Sequence, residues 1–213
     1  MPAWTVRTTT PADGSINRYY CRPGAPYNGF NNSIPGNGAL YGADVLNNCV
    51  GYSVGRCAEI TNELTPGTIT SAATNPYNLF APYNADVWYN IAQQNSYQVG
   101  QSPAEGAIGV WANGPVGASG TIGHVANIEQ IVNGTVYISE SHYYYDGNQN
   151  VNGSWDYSTL DSNNIPAFIG GDPAWYLVGF IYPPYVVNPP GPGPGPVTRR
   201  KLPVWLMTKR LPF

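Results

Sequence analysis

A cysteine and a histidine 75 positions apart are placed where the chain could bring a thiol and an imidazole together. Cys49 follows Asn48, a residue type that caps helices, and His124 begins an apolar run typical of a strand. A free thiol is mostly protonated at neutral pH, but a helix N-terminus and a nearby imidazolium each stabilise the nucleophilic thiolate. The pair therefore predicts the chemistry of a cysteine hydrolase.

The elements that must position this pair follow from the residue patterns. A helix is predicted from position 47 or 48 to position 63, where the Pro-Gly pair at 66–67 ends it, and a second short helix over 85–94. Strands are predicted over 107–111, 123–132, 135–141 and 175–182. Glycine (25) and proline (21) are abundant, so we expect strands, turns and few helices.

The Asn-Gly pair at 133–134 predicts a hairpin whose register decides which side chain can orient the imidazole. A two-residue loop would place His124 and Glu140 on opposite faces. A three-residue loop with a glycine bulge, which we predict, puts both on one face together with His142. Glu140 would still lie opposite Ile128, about 13 Å along the strand from His124, unless a bulge or strong twist intervenes. Glu140 is the first choice as orienting residue, and His142 is its rival.

Five motifs, taken in order, resemble the CHAP family of cysteine, histidine-dependent amidohydrolases and peptidases. They are NCVGY (48–52), PAEGAIGVW (103–111), GHVA (123–126), ISESH (138–142) and GFIY (179–182). The resemblance covers roughly residues 40–182. It implies an α+β, papain-like fold in which short N-terminal helices pack on an antiparallel sheet. It also implies cleavage of bacterial peptidoglycan, often in phage lysins or bacterial autolysins.

The same resemblance assigns roles to individual residues. Cys49 matches the family nucleophile, His124 the general base and Glu140 the acidic third member. Asn48 matches a polar position that would help the backbone N–H of Cys49 stabilise an oxyanion. The family often has asparagine two residues after the glutamate, where this chain has His142, so Glu140 and His142 both remain candidates for the third member.

Aromatic residues beside the motifs suggest where a substrate would lie. Trp111, Tyr143 and Tyr144 are predicted to line a groove, because rings stack on sugar faces and tyrosine hydroxyls donate hydrogen bonds. A surface aromatic cluster is the equal alternative for the tyrosines. Of the calcium loop found in some relatives only Asp44 is present, which offers too few oxygen ligands. Neither a metal nor a cofactor is predicted.

The three cysteines cannot all pair, so a disulfide framework is not expected. Cys57 falls at helical spacing from Val50 and Val54, which predicts a thiol in the core. Cys21 lies in a predicted loop and carries no functional signal.

Composition divides the chain into four segments: an irregular N-terminal arm that wraps the domain (1–45), a catalytic domain (46–182), a Pro/Gly linker (183–197) and a basic, apolar tail (198–213). Five of the nine basic residues lie in the tail, so positions 1–198 hold four basic and twelve acidic residues, a net charge of −8. Such an acidic body argues against nucleic acid as the main ligand.

These observations predict a phage-type peptidoglycan hydrolase, either an endolysin or a virion-associated lysin. The bond is an amide, cleaved by an N-acetylmuramoyl-L-alanine amidase or by a stem-peptide or cross-bridge endopeptidase. The alternative is a structural virion or tail protein whose hydrolase-like domain binds wall peptides or docks in a particle. The tail would contact an anionic wall polymer, a membrane surface or a virion protein.

The expected localisation follows from the N-terminus, which shows no signal peptide. The protein would be made in the host bacterial cytoplasm and would reach the wall after holin-type release or as part of a virion.

Overall fold

A computed structural model of the chain describes residues 2–12, 17–24, 28–33, 44–118, 123–142, 154–167, 169 and 174–190. The α-helices among these residues are α1 (Cys49–Leu64) and α2 (Trp88–Gln94). Short 3-10 helices occupy Arg18–Tyr20, Ala72–Thr74, Pro76–Leu79 and Ala85–Val87. The strands are β1 (Gln98–Gly100), β2 (Ile108–Ala112), β3 (Gly123–Val132), β4 (Thr135–His142), β5 (Ser154–Thr159) and β6 (Tyr176–Tyr182).

The six strands form one antiparallel sheet in the order β1-β6-β2-β3-β4-β5. The predicted α+β class, with helices packed on an antiparallel sheet, is confirmed. Both predicted helices and all four predicted strands are present. Their limits agree within a residue or two, except that α2 begins at Trp88 and the predicted residues 85–87 form the 3-10 helix before it. The edge strands β1 and β5 were not predicted. No helix in the described part of the chain is long and apolar enough to cross a membrane.

The sheet separates two apolar clusters, and alternating residues of β2 contribute to different ones. Val110 packs with α1 and α2 in the first cluster, whereas Trp111 packs with Phe180 in the second. Cys57 lies fully buried in the first cluster, which confirms it as a core thiol. Burial raises the pKa of Cys57 to about 12, so this thiol is not a nucleophile at neutral pH.

Helix α1 lies very close to the chain that precedes it. A Cβ atom on Gly51 would stand 2.1 Å from the carbonyl oxygen of Val45, and one on Gly55 would stand 2.6 Å from that of Tyr19. The two glycines, which weaken a helix in isolation, therefore allow a close backbone approach.

The β3–β4 hairpin turns through two residues, so the prediction of a three-residue loop is wrong. Val132 pairs directly with Thr135. Asn133 and Gly134 both have left-handed backbones, with φ of 51° and 82°. Such a turn matches the twist of the flanking strands, which is why an Asn-Gly pair favours it.

A β-bulge at Glu129 then changes the register. From the turn inward the paired positions sum to 267, as in Gln130 with Tyr137, but Ile128 pairs with Ile138 and the sum becomes 266. Glu129 is thus the extra residue on β3.

Continued toward the start of β3, the shifted register sets Ala126 opposite Glu140 and His124 opposite His142. The predicted grouping of His124, Glu140 and His142 on one face therefore holds, although its cause is the bulge and not the loop length. Glu140 also lies nearer to His124 than the three-residue loop would have allowed.

The segment boundaries remain predictions. Residues 191–197 of the linker and the whole tail lie outside the described residues, as do several stretches of the N-terminal arm.

We expect Gly134→Ala to lower the free energy of unfolding by about 1–2 kcal/mol, because an alanine in a left-handed backbone carries that cost. A Cβ atom at this position would meet nothing within 4 Å, so no clash contributes. Urea unfolding measures the change. Asn133→Gly is the matched control and should stay within about 0.5 kcal/mol of wild type. An unchanged stability of Gly134→Ala would contradict the two-residue turn.

Candidate active site

Helix α1 begins at Cys49 because Asn48 caps it. Asn48 has an extended backbone, and its Oδ1 accepts hydrogen bonds from the backbone N–H groups of Val50 (2.9 Å) and Gly51 (3.2 Å). Cys49 is thereby held at the positive end of a 16-residue helix, where a thiolate is stabilised. It is half-buried, whereas the thiols of Cys21 and Cys57 are buried.

His124 reaches Cys49 from the second residue of β3. The imidazole is 4% exposed and is hydrogen-bonded to the Cys49 side chain. On the neighbouring strand, Trp111 stands directly opposite His124, with the two ring centroids 6.0 Å apart. The thiol and the imidazole predicted from the sequence are thus in contact, and a tryptophan supports the imidazole.

Glu140 contacts the imidazole directly. Its Oε2 lies 2.6 Å from Nε2 of His124, and its Oε1 accepts a hydrogen bond of 3.1 Å from the Ser158 hydroxyl. Nε2 of His142 lies 3.6 Å from Oε1 of Glu140, which exceeds hydrogen-bond length but allows charge attraction. His142 presents its ring edge-on to His124, with the centroids 5.8 Å apart. Glu140 therefore orients the imidazole, and His142 adjoins Glu140.

The charges of this buried pair support one another. Burial disfavours the imidazolium, but the hydrogen bonds and charges of Cys49 and Glu140 outweigh it and raise the pKa of His124 to about 10. Burial likewise disfavours the Glu140 carboxylate, but the hydrogen bond and charge of His124, helped by His142, lower the pKa of Glu140 to about 2. Both groups are therefore charged at neutral pH.

The geometry also assigns the two ring nitrogens. Nε2 of His124 donates to the Glu140 carboxylate, so Nδ1 is the ring nitrogen that remains for the Cys49 thiol. A thiol on one nitrogen and a carboxylate on the other are the parts needed to form a thiolate and to return a proton to a leaving group. The arrangement can carry out nucleophilic acyl transfer.

Three other predicted site residues have different outcomes. Trp111 is fully buried against His124 and Phe180, and its Nε1 donates to the carbonyl of Asn164, so it presents no surface to a substrate in this structure. Tyr143 and Tyr144 lie outside the described residues.

The predicted oxyanion role of Asn48 stays a prediction. Its Oδ1 is engaged in the helix cap, and its amide nitrogen is the group that could serve.

Sequence reasoning missed Ser158, which holds the far oxygen of Glu140. Ser158 lies on the edge strand β5, where Trp155 and Tyr157 alternate with polar residues, and that alternation is the signal that could have revealed it. Among the described residues, no group of three or more His, Cys, Asp or Glu side chains is arranged to hold a metal ion.

Comparison with known proteins bears on this site. The family model of the CHAP domain matches residues 40–142, a span that includes Cys49, His124 and Glu140. The resemblance found in the sequence is thereby confirmed over this span. No curated protein matches the chain significantly.

One solved structure that matches is an N-acetylmuramoyl-L-alanine amidase from Staphylococcus aureus, with 26% sequence identity and a TM-score of 0.38. The match covers 64% of this chain and 31% of that chain. This chain therefore aligns with less than one third of the amidase.

In the folded protein we expect His124 to titrate far above its ordinary value of 6.5, with a midpoint near 10. Glu140→Gln should lower this midpoint because it removes the facing negative charge. The chain has two histidines, so NMR of the ring C–H groups resolves them, and His142→Gln assigns the signals. A His124 midpoint near 6.5 in wild type, or one unmoved by Glu140→Gln, would contradict the pairing.

The same pair makes stability depend on pH. The raised pKa of His124 contributes stability that is complete below pH 6.5 and is lost as the pH rises through about 10. The lowered pKa of Glu140 contributes stability that is complete above pH 4.5 and is lost as the pH falls through about 2. Glu140→Gln should therefore flatten the fall in stability above pH 6.5.

Proposed function

We propose that this chain, whose residues 40–142 match the CHAP domain, is a peptidoglycan hydrolase that cleaves an amide bond through the thiol of Cys49. The observation that carries the proposal is the continuous contact from Cys49 to His124 to Glu140, with the cysteine at a helix N-terminus. The substrate class rests on the family, since CHAP domains act on bacterial cell walls.

In the proposed mechanism, the Cys49 thiolate attacks the carbonyl carbon of the amide. The oxyanion that forms is stabilised at the α1 N-terminus by the backbone N–H of Cys49, with Asn48 beside it. His124, held as an imidazolium, donates its proton to the amine as the C–N bond breaks, which leaves a thioester on Cys49. Water then attacks the thioester, His124 accepts a proton from it, and the acid product leaves the regenerated thiolate.

Glu140 contributes by position and charge. Its carboxylate holds Nε2 of the ring, which leaves Nδ1 for the sulfur, and its negative charge stabilises the imidazolium that the first step needs. Because the pair is buried, solvent screens this interaction little. Glu140 stays ionised and does not take up the proton.

We further propose a phage setting, as an endolysin or a virion-associated lysin. The bond would be either the muramoyl–alanine link or a peptide bond of the stem or cross-bridge, since all are amides accessible to the same chemistry. The basic, apolar segment at 198–213 would attach the enzyme to an anionic wall polymer, a membrane surface or a virion protein. In this setting the enzyme would reach the wall through a permeabilised membrane or as part of a particle.

The central test is mass spectrometry of fragments released from purified Gram-positive peptidoglycan. Wild type should release new amine termini whose masses identify the bond, and Cys49→Ala should lower release by at least about a thousandfold, because the nucleophile is lost. Cys57→Ala, which removes a thiol outside the site, is the matched control and should retain release. Circular dichroism checks that each variant is folded.

Two results would count against the proposal. Equal release by Cys49→Ala and wild type would exclude the thiol mechanism. No release by folded wild type from several wall types would favour the structural virion protein instead.

Thiol alkylation offers a separate test that needs no substrate. Iodoacetamide should modify Cys49 in the native protein well before Cys21 and Cys57, because Cys49 is partly exposed and hydrogen-bonded to His124 while burial raises the pKa of the other two thiols. Peptide mass mapping locates the label, and unfolded protein should react at all three cysteines. Preferential labelling of Cys21 or Cys57 in folded protein would refute the assignment.

A further inference from the structure

The face on which Glu140 lies is decided by the bulge at Glu129. If the register set by the turn continued along β3, Glu140 would stand opposite Asn127. The side chain of Asn127 contacts Cys57 of α1, so it points to the α1 face of the sheet, away from His124. The extra residue on β3 shifts the pairing by one position, and such a shift moves a paired side chain to the other face of the sheet. Glu140 therefore lies on the same face as His124.

The side chain of the bulged residue is held at both carboxylate oxygens. Oε1 of Glu129 accepts hydrogen bonds from Nε of Arg56 (2.8 Å) and from the Ser139 hydroxyl (2.6 Å). Oε2 accepts from Nη2 of Arg56 (2.7 Å) and from the backbone N–H of Arg7 (3.0 Å). Glu129 is 0% exposed and Arg56 is 1% exposed. The bulge is therefore fixed by a buried, forked ion pair.

The arginine of this pair belongs to the helix that carries the nucleophile. Arg56 is seven residues beyond Cys49 in α1, about 10 Å along the helix axis. From the same helix, the hydroxyl of Tyr52 donates to the hydroxyl oxygen of Ser139 on β4 (2.8 Å). Helix α1 thus contacts both strands of the hairpin at the point where their register changes.

The other side of the bulge is held by the segment that leads into β2. The backbone N–H of Gly106 donates to the carbonyl of Ile128 (2.8 Å), and the Glu105 carboxylate accepts from the backbone N–H of Ile131 (3.0 Å). These bonds bracket Glu129. Backbone groups on each side of the bulge therefore have hydrogen-bond partners in this segment.

We propose that Arg56 and Glu129 are positioning residues: their ion pair fixes the β3 bulge and so places Glu140 against His124. The hydrogen bonds given above for Arg56 and Glu129 do not include Cys49 or His124. The pair acts through the register of β4 against β3. Its catalytic consequence rests on the proposed hydrolase function, whereas its effect on the His124–Glu140 contact does not.

The Glu129 carboxylate favours the charged form of Arg56. Burial opposes the charge of Arg56, but the hydrogen bond and charge of Glu129 outweigh it and raise the pKa of Arg56. Because both partners are desolvated, replacing one of them leaves the other as a buried charge with poorer partners. The ion pair between Arg56 and Glu129 is therefore sensitive to small changes in either side chain.

Glu129→Gln is the direct test, since its amide N–H₂ would face the donors on Arg56 and Arg7 where a carboxylate oxygen now accepts. We expect the His124 titration midpoint, followed by NMR, to fall by about one unit or more, as in Glu140→Gln. We also expect kcat on peptidoglycan to fall by about a hundredfold with little change in KM. Arg56→Lys, which keeps the charge but loses the fork, carries the same expectation if Glu129→Gln does not fold.

Glu59→Gln is the matched control. Glu59 accepts a hydrogen bond of 2.9 Å from Nη1 of the same arginine but has no contact with the bulge among the described residues. Its removal should leave the His124 titration unchanged. A folded Glu129→Gln protein with wild-type titration and turnover would overturn the proposal. A wild type that fails to release peptidoglycan fragments while Glu129→Gln still shifts the His124 signal would overturn the function and uphold the positioning role.

Discussion

Two opposite charges buried in contact, the His124 imidazolium and the Glu140 carboxylate, impose the constraint on which the rest of the site depends. Neither group is stable as an ion in a dry interior alone, and a buried pair is tolerated only while its partners remain at hydrogen-bond distance. The two side chains come from the adjacent strands β3 and β4, so the distance between them depends on the register of those strands. The bulge, the turn and the contacts that hold β4 are the means by which the constraint is met.

A second buried ion pair lies on the opposite face of the same hairpin. Arg56 and Glu129 join α1 to β3, while His124 and Glu140 join β3 to β4 and meet Cys49 at the end of α1. Each pair has a hydroxyl that holds its carboxylate, Ser139 in one case and Ser158 in the other. A buried ion pair on each face therefore helps to fix the register of the β3–β4 hairpin, which apolar packing alone does not account for.

The sequence predicted what local patterns determine. The helix that starts at Cys49, the strand that starts at His124 and the core position of Cys57 follow from capping, periodicity and spacing. The turn length was wrong because the preference of Asn-Gly for a two-residue turn outweighed the face-matching argument that favoured three.

Features that depend on distant partners could not be predicted. The bulge at Glu129 needs Arg56, 73 positions away, and no local pattern signals such a pair. The edge strand β1 has only three residues, which hides it, whereas the alternation of Trp155 and Tyr157 with polar residues in β5 could have revealed that strand and Ser158. The burial of Trp111 depends on Asn164 and on the second apolar cluster, neither of which adjoins it in sequence.

Helix α1 carries Cys49 at its first residue and Arg56, the partner of Glu129, two turns later, and this links the site to cooperative unfolding. An opening that detached α1 would separate Cys49 from His124 and release the bulge in the same event, so an opening of this kind could not keep one half of the site intact. The loss of the Cys49–His124 contact and the loss of the native register between β3 and β4 then belong to a single transition.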